Sequence, residues 1–339
     1  MSSPVLTDLA LQGGGSHGAF TWGVLDRLLE EDSLIIEGIS GTSAGAMNAA
    51  VLIDGFSRAG VQGAREGLEK FWKDVSEAAR LSPLKRGPLD VLLNRWSLDH
   101  APGYLAMDFV TRLFSPYDLP FGGTNPLARI LAAHVDFERL SRARIKLFVT
   151  ATNVRTGRGR VFRNAEISPQ VLLASACLPQ MFQAVEIGGE AYWDGGFAGN
   201  PTMTPLIREC VSNDTILIGI NPVDRPGIPR SARDIINRVN EVSFNSVLLK
   251  ELEMMALLRR GATNLEDPEA KHWAGMRLHM VRGDALIKLG ASSKLNAEWA
   301  FLTMLRDEGR RAATAFLTTK GAELGKSSTL DIDQLLACG

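Results

Sequence analysis

A short apolar run, Leu6–Leu11, ends in Gln12-Gly13-Gly14-Gly15-Ser16-His17-Gly18 and gives way at once to residues with helical spacing: Phe20, Val24, Leu25, Leu28 and Leu29, within 18–31. Consecutive glycines between a strand and a helix constrain the chain more than any other feature. Bare backbone is placed where the chain must bend sharply or approach something closely. The pattern repeats in kind: a second, Ile-rich run, Leu34–Ser40, leads through Gly41-Thr42-Ser43-Ala44-Gly45 into the small and apolar stretch Ala44–Ile53. Strand, helix, strand, helix predicts parallel strands with helices against them, hence an α/β class with a mainly parallel central sheet.

The rest of the chain continues in this style. Helices are expected at 64–79, 168–176, 232–260 and 296–319, and from an Asn125-Pro126 start to His134. Strands are expected at 145–152, 160–162, 215–220 and 277–281, with a hairpin of 185–187 and 191–193 around Gly188-Gly189. Residues 80–124, interrupted by Pro83, Pro88, Pro102, Pro116 and Pro120, read as a loop-rich excursion with short helices near Leu89–Asn94 and Met107–Phe114. Nothing marks a clean linker. The expected organisation is a core over 1–220, carrying that excursion, and a mainly helical part over 221–339 packed on it.

Charge and cysteine content exclude some functions. Lys plus Arg number 37 and Asp plus Glu 38, a formal net charge of −1, which argues against a nucleic-acid partner. The three cysteines, Cys177, Cys210 and Cys338, form no CxxC pair or disulfide framework, and the first residues do not read as a signal peptide. The longest uncharged apolar stretch, Gly38–Ile53, is shorter than the ~20 residues that span a bilayer. A cytoplasmic location is expected.

The pattern G-x-S-x-G occurs twice, at Gly41–Gly45 and at Gly14–Gly18. A nucleophile elbow needs a serine at the apex of a sharp strand-to-helix turn with small neighbours. Ser43 follows an apolar run directly and precedes Ala44, Gly45 and Ala46, whereas Ser16 sits well past the end of its strand. Ser43 is therefore the candidate nucleophile, against the alternative of a tight turn with no chemistry. The loop Gly13–Gly18 formally matches the dinucleotide pattern G-x-G-x-x-G, with Glu37 as the acid about 20 residues on. Against that, the second strand runs straight into the Ser43 turn, and an oxyanion hole, its backbone N–H groups gathered on one spot at a helix N-terminus, explains the loop and the elbow serine together. Ala44, one past the serine, could add a donor. For the base, His272 and His279 are the histidines late enough for the Ser–acid–His order of α/β-hydrolases. The other candidate is Asp194, in Trp193-Asp194-Gly195-Gly196, where Gly195 and Gly196 free the backbone around one carboxylate; an ordinary β-turn is the alternative.

Taken together, GGGSHG at 13–18, GTSAG at 41–45, ASACLP at 174–179, DGG at 194–196 and Asn200-Pro201 resemble the patatin-like phospholipase family in order and spacing, over about residues 6–220. The resemblance implies a three-layer α/β/α fold, Ser43 as nucleophile, Asp194 as base in a Ser–Asp dyad, and an oxyanion hole lined by Gly13, Gly14 and Gly15. It implies hydrolysis of lipid acyl esters such as phospholipids or lysophospholipids, with no cofactor and no metal. His17 departs from the Arg or Lys the family usually carries there. A histidine's charge varies near neutrality, so no fixed positive charge is implied at that position. The apolar positions Val239, Val242, Leu249, Leu252, Met255 and Leu258 suit core packing, an acyl channel, peripheral contact with a membrane, or pairing with another chain. Phe114, Tyr117 and Phe121 suit a lid or a loop anchor. Two other functions fit the residues: a Ser–Asp–His esterase on small soluble esters, and a non-catalytic binder of a nucleotide or acyl group. Oligomeric state is not legible.

Overall fold

The structure, a computed structural model, describes residues 4–93, 95–119, 125–261 and 266–337. Asn94, Phe121 and Cys338 lie outside the described residues.

Among the described residues, eight strands form one sheet: β1 (Val5–Leu11), β2 (Leu34–Gly41), β3 (Lys146–Asn153), β4 (Gly159–Arg163), β5 (Val185–Ile187), β6 (Glu190–Asp194), β7 (Asp214–Gly219) and β8 (Arg277–Arg282). The order is β5-β6-β3-β2-β1-β7-β8, with β4 paired to β3. The run β3-β2-β1-β7-β8 is parallel throughout, and β4, β5 and β6 add antiparallel pairs at one side. The chain is thus an α/β protein with a mostly parallel central sheet.

Period-two alternation along the strands divides the core between the two faces of the sheet. Leu9, Leu11, Ile39, Leu147, Val149, Ile216 and Ile218 pack beneath helices Gly18–Leu28, Ala44–Ala78, Pro169–Ser175 and Trp299–Lys320. Ala10, Phe148, Leu217 and Leu278 face the other way, onto helices Thr204–Glu209, Ala232–Arg260 and Pro268–Gly275. The layers are helix, sheet, helix. The part beyond residue 220 supplies β8 to the sheet edge and a long helix to each face.

The expected helices at 44–53 and 64–79 are joined in one helical run, Ala44–Ala78, broken at Ala59 and Gly60, where φ of 62° at Gly60 leaves the helical region. The helix expected near Met107–Phe114 begins earlier, at Pro102, because proline suits the first helical turn. Five short helices among the described residues carry too few periodic positions to be legible: Phe137–Ser141, Thr204–Glu209, Pro268–Gly275, Asp284–Ile287 and Ile332–Ala337. The long helix expected at 232–260 is present over that span but is not uniformly buried. Leu252 and Met255 are core residues, whereas Val239 and Val242 are 56% and 52% exposed. No helix among the described residues is long and apolar enough to cross a membrane.

Candidate active site

The pairing around β3 brings the two motif residues together. Gly41 at the end of β2 is paired with Val149, and Asp194 at the end of β6 with Ala151. β4 pairs with Phe148–Thr152 and so occupies the other edge, leaving β2 and β6 in line along one edge of β3. Two residues of strand separate them, about 7 Å. The turn after β2 crosses that gap. The Ser43 hydroxyl lies close enough to the Asp194 carboxylate to favour its ionised form.

Ser43 sits at φ 53°, ψ −122°, the one non-glycine residue with positive φ among the described residues. Such a conformation costs on the order of 1–3 kcal/mol and persists only where its surroundings over-determine it. Here they do. The Ser43 N–H donates to Ser175 Oγ at 2.9 Å, and Ser175 Oγ donates to the Thr150 carbonyl at 2.7 Å. Thr42 Oγ1 donates to the Gly199 carbonyl at 2.7 Å. Gly41 and Gly45 flank the serine, and a side chain on Gly45 would meet the Leu11 carbonyl at 2.4 Å. Ala44 opens the following helix, so its N–H has no intrahelical acceptor. Ser16, in the other G-x-S-x-G, is buried in the 3₁₀ turn Gly15–His17 with no positive φ of its own.

Asp194 is 2% exposed. Its Oδ1 accepts from the Gly196 N–H at 2.7 Å, and its own N–H donates to the Cys177 carbonyl at 2.8 Å. Burial pushes its carboxyl up to about 7, opposed by the Gly196 N–H, the Ser43 hydroxyl and the charge of Lys294. Phe244 of the Ala232–Arg260 helix lies directly over Gly196, where any side chain would collide with its ring.

The glycine loop lies against the serine. A side-chain carbon on Gly13 would fall 2.8 Å from Ser43 Cβ. The Gly13 N–H is already committed, donating to Asn200 Oδ1 at 2.6 Å. Gly13 therefore gives the loop its close approach to the serine, while its N–H serves to anchor the loop. Asn221 Nδ2 donates to the Gly13 carbonyl at 2.8 Å, and Gln12 Oε1 accepts from the Ile220 and Asn221 N–H groups, both at 2.9 Å.

The competing assignments are placed elsewhere. Glu37 lies toward the N-terminal end of β2, away from the glycine loop, and is held by Lys146 Nζ at 2.8 Å and by the Val211 and Ser212 N–H groups. A dinucleotide-binding acid would have to lie at the other end of that strand. His279 is fully buried between Asp214 Oδ1 at 3.1 Å and Thr329 Oγ1 at 3.0 Å. Asp214 begins β7, on the side of the sheet opposite Ser43. His272 lies in the Pro268–Gly275 helix, which leads into that same end of β8. Neither histidine reaches Ser43. One group of possible metal donors, Asp8, Glu37 and Cys210, lies within 4.8 Å at that far end, though sequence spacing gave no sign of it. Lys146 already occupies its cationic position beside Glu37.

Sequence reasoning missed Asn221, Phe244 and Lys294. They lie in the third of the chain without a recognisable motif, and a lysine among polar residues reads as solvated surface.

A serine at a strained strand-to-helix apex, set beside a buried carboxylate and bordered by a glycine loop, defines a hydrolase-type elbow on an α/β sheet. The model of the family described as patatin-like phospholipase matches residues 9–207, and the chain belongs to that family. No curated protein matches the chain significantly. Among solved structures, VipD from Legionella pneumophila is 13% identical, with 91% of this chain and 67% of that one covered, at a TM-score of 0.36. The heterodimeric ExoU–SpcU complex of the Pseudomonas aeruginosa type III secretion system is 18% identical, with 99% and 72% covered, at a TM-score of 0.31. These likenesses are too distant to add to the family match.

Proposed function

We propose that the protein is a lipid acyl hydrolase working through a Ser43–Asp194 dyad. The observation that carries this reading is the strand register that sets a strained, over-determined Ser43 beside a carboxylate whose burial raises it to about 7. A base is most useful when its pKa lies near the working pH. Ionised Asp194 takes the Ser43 proton as Oγ attacks the ester carbonyl. The developing oxyanion is held by the N–H groups of Gly14, Gly15 and Ala44, since that of Gly13 is spent on Asn200. Protonated Asp194 returns its proton to the leaving alcohol. A water, deprotonated by the same carboxylate, then releases the acyl group from Ser43. No step calls on a cofactor or a metal.

Three features support a lipid ester as substrate. The family match supports the class. A cavity of about 700 Å³, lined by Leu173, Cys177, Phe182 and Val185 among others, lies beside the residue whose carbonyl holds the Asp194 N–H, a suitable place for an acyl chain. Leu105, Phe109 and Leu113 present one exposed apolar face of the Pro102–Leu113 helix, and Ile235, Ile236, Val239 and Val242 expose another. Exposed apolar surface of this kind suits peripheral contact with a membrane. In this reading residues 1–220 carry the chemistry, and the 80–124 excursion and the 221–339 part close over it.

The test is covalent tagging with a fluorophosphonate, which captures an activated serine. One adduct mapped to Ser43, lost in Asp194→Asn, is expected. A folded protein that stays unlabelled would overturn the reading.

A further inference from the structure

The glycine loop rests on the C-terminal third of the chain. Gly15 adopts φ 58°, and its backbone packs so closely on the segment Ala291–Leu295 that a side-chain carbon there would lie 2.4 Å from the Lys294 carbonyl. From that position the Lys294 ammonium donates to Asn221 Oδ1 at 2.7 Å. Asn221 Nδ2 in turn donates to the Gly13 carbonyl at 2.8 Å, and the Asn221 N–H to Gln12 Oε1 at 2.9 Å. The lysine is thus one hydrogen-bonded residue away from the loop beside Ser43.

Position 17 supplies no charge. His17 is 2% exposed, and its Nε2 lies 2.8 Å from Ser293 Oγ, whose own proton is directed at the Gly290 carbonyl at 2.6 Å. That arrangement assigns the imidazole proton to Nε2. Nδ1 is buried with no hydrogen-bond partner. Burial, then Lys294 and Arg225, hold the ring well below the usual histidine range, so it is neutral. The charged groups facing Lys294 are Glu241, Arg225 and Asp194. Burial brings its ammonium down to about 8, which leaves it mostly protonated at pH 7. Its charge acts on Asp194 by favouring the ionised carboxylate.

We propose that Lys294 is the positioning cation of this site: acting through Asn221, it fixes the Gly13–Gly15 loop, and it brings from outside the family-matched segment the positive charge that position 17 lacks. The proposal rests on the Ser43–Asp194 reading. The C-terminal third is then part of the machinery, since without it the loop loses both its support and its charge.

The test uses the full chain and measures the rate of fluorophosphonate labelling from pH 5.5 to 9.5, with turnover of a p-nitrophenyl ester and a thermal midpoint for each variant. Lys294→Met is expected to slow labelling and lower kcat by roughly 100-fold, the scale of losing one oxyanion donor. KM should change little, and the acidic limb of the profile should move to higher pH, because Asp194 loses a charge that favours its ionised form. Lys294→Arg should restore most of the rate. Lys294→Gln, which keeps a donor for Asn221 without the charge, should stay slow and guards against a Met variant that does not fold. Folded Met or Gln variants that label at the wild-type rate with an unmoved acidic limb would overturn the role of Lys294. So would an Arg variant as slow as the Gln variant. A folded wild type that is not labelled at Ser43 would overturn the dyad reading itself, and this proposal with it.

Discussion

The Ser43 hydroxyl and the Asp194 carboxylate meet because β2 and β6 lie end to end on one edge of β3, their last residues paired to Val149 and Ala151. The proximity of the two residues is thus a consequence of strand register. A parallel strand ends where an antiparallel one arrives from the other direction, and the two turns share the gap.

The elbow stores strain that a glycine would release. A φ of 53° with a ψ of −122° is the mirror image of a polyproline-type conformation, open to glycine and unfavourable for serine. Ser43→Gly is expected to abolish ester hydrolysis and to raise stability by about 1 kcal/mol, the lower end of the cost of such backbone. Urea denaturation beside the wild type measures the gain. A destabilised glycine variant would show that the turn is not strained.

In the proposed dyad, Asp194 sets the pH dependence of catalysis. Only its ionised form can take the Ser43 proton, and its carboxyl sits at about 7. Activity is therefore expected to climb with pH through about 7 and to level off above it. Asp194→Asn should remove that limb together with at least roughly 1,000-fold of the rate. Profiles of kcat/KM read this directly, and a limb near pH 4 would contradict the buried-base assignment.

Asp8 sets a pH dependence of stability with no effect on chemistry. Burial raises its carboxyl to about 8 from 3.8, so the folded state holds a proton that the unfolded chain gives up. Its contribution is complete below about 4 and is lost as pH rises through about 8. Asp8→Asn, neutral at every pH, should gain stability relative to wild type across that window, by on the order of a few kcal/mol. Denaturation midpoints at pH 5 and pH 9 test the sign: a difference that shrinks with pH would be wrong for a raised carboxyl.

The histidines should prove structural. His279→Ala removes a partner from buried Asp214 and from Thr329, and a loss of about 1–3 kcal/mol is expected. His272→Ala and His279→Ala should both keep kcat within about twofold of wild type, since neither approaches Ser43. Steady-state kinetics on the folded variants decide. A collapse of kcat in either would restore a triad.

Much of the sheet was legible because its signals are local. Leu6–Leu11 and Leu34–Ser40 are apolar runs cut off by glycine, and a parallel core strand has no other way to end at a turn so tight. The hairpin was equally local, marked by Gly188-Gly189, both at positive φ. What sequence could not show is held by long-range geometry. The commitment of the Gly13 N–H to Asn200 joins residues 187 positions apart. Lys294 reaches Asn221 from another part of the chain, and Asp8, Glu37 and Cys210 converge from three separate elements. The long helix at 232–260 was legible in extent, but one periodic apolar stripe cannot say which of its turns the fold will cover. The fold covers Leu252 and Met255 and leaves Val239 bare.

The most direct measurement is release of fatty acid from a panel of phospholipid and lysophospholipid vesicles by the wild type beside Ser43→Ala. Release from at least one lipid by the wild type is expected, and none above background from a folded Ser43→Ala. Equal release by both, or none by a folded wild type from any lipid, would contradict the proposed function.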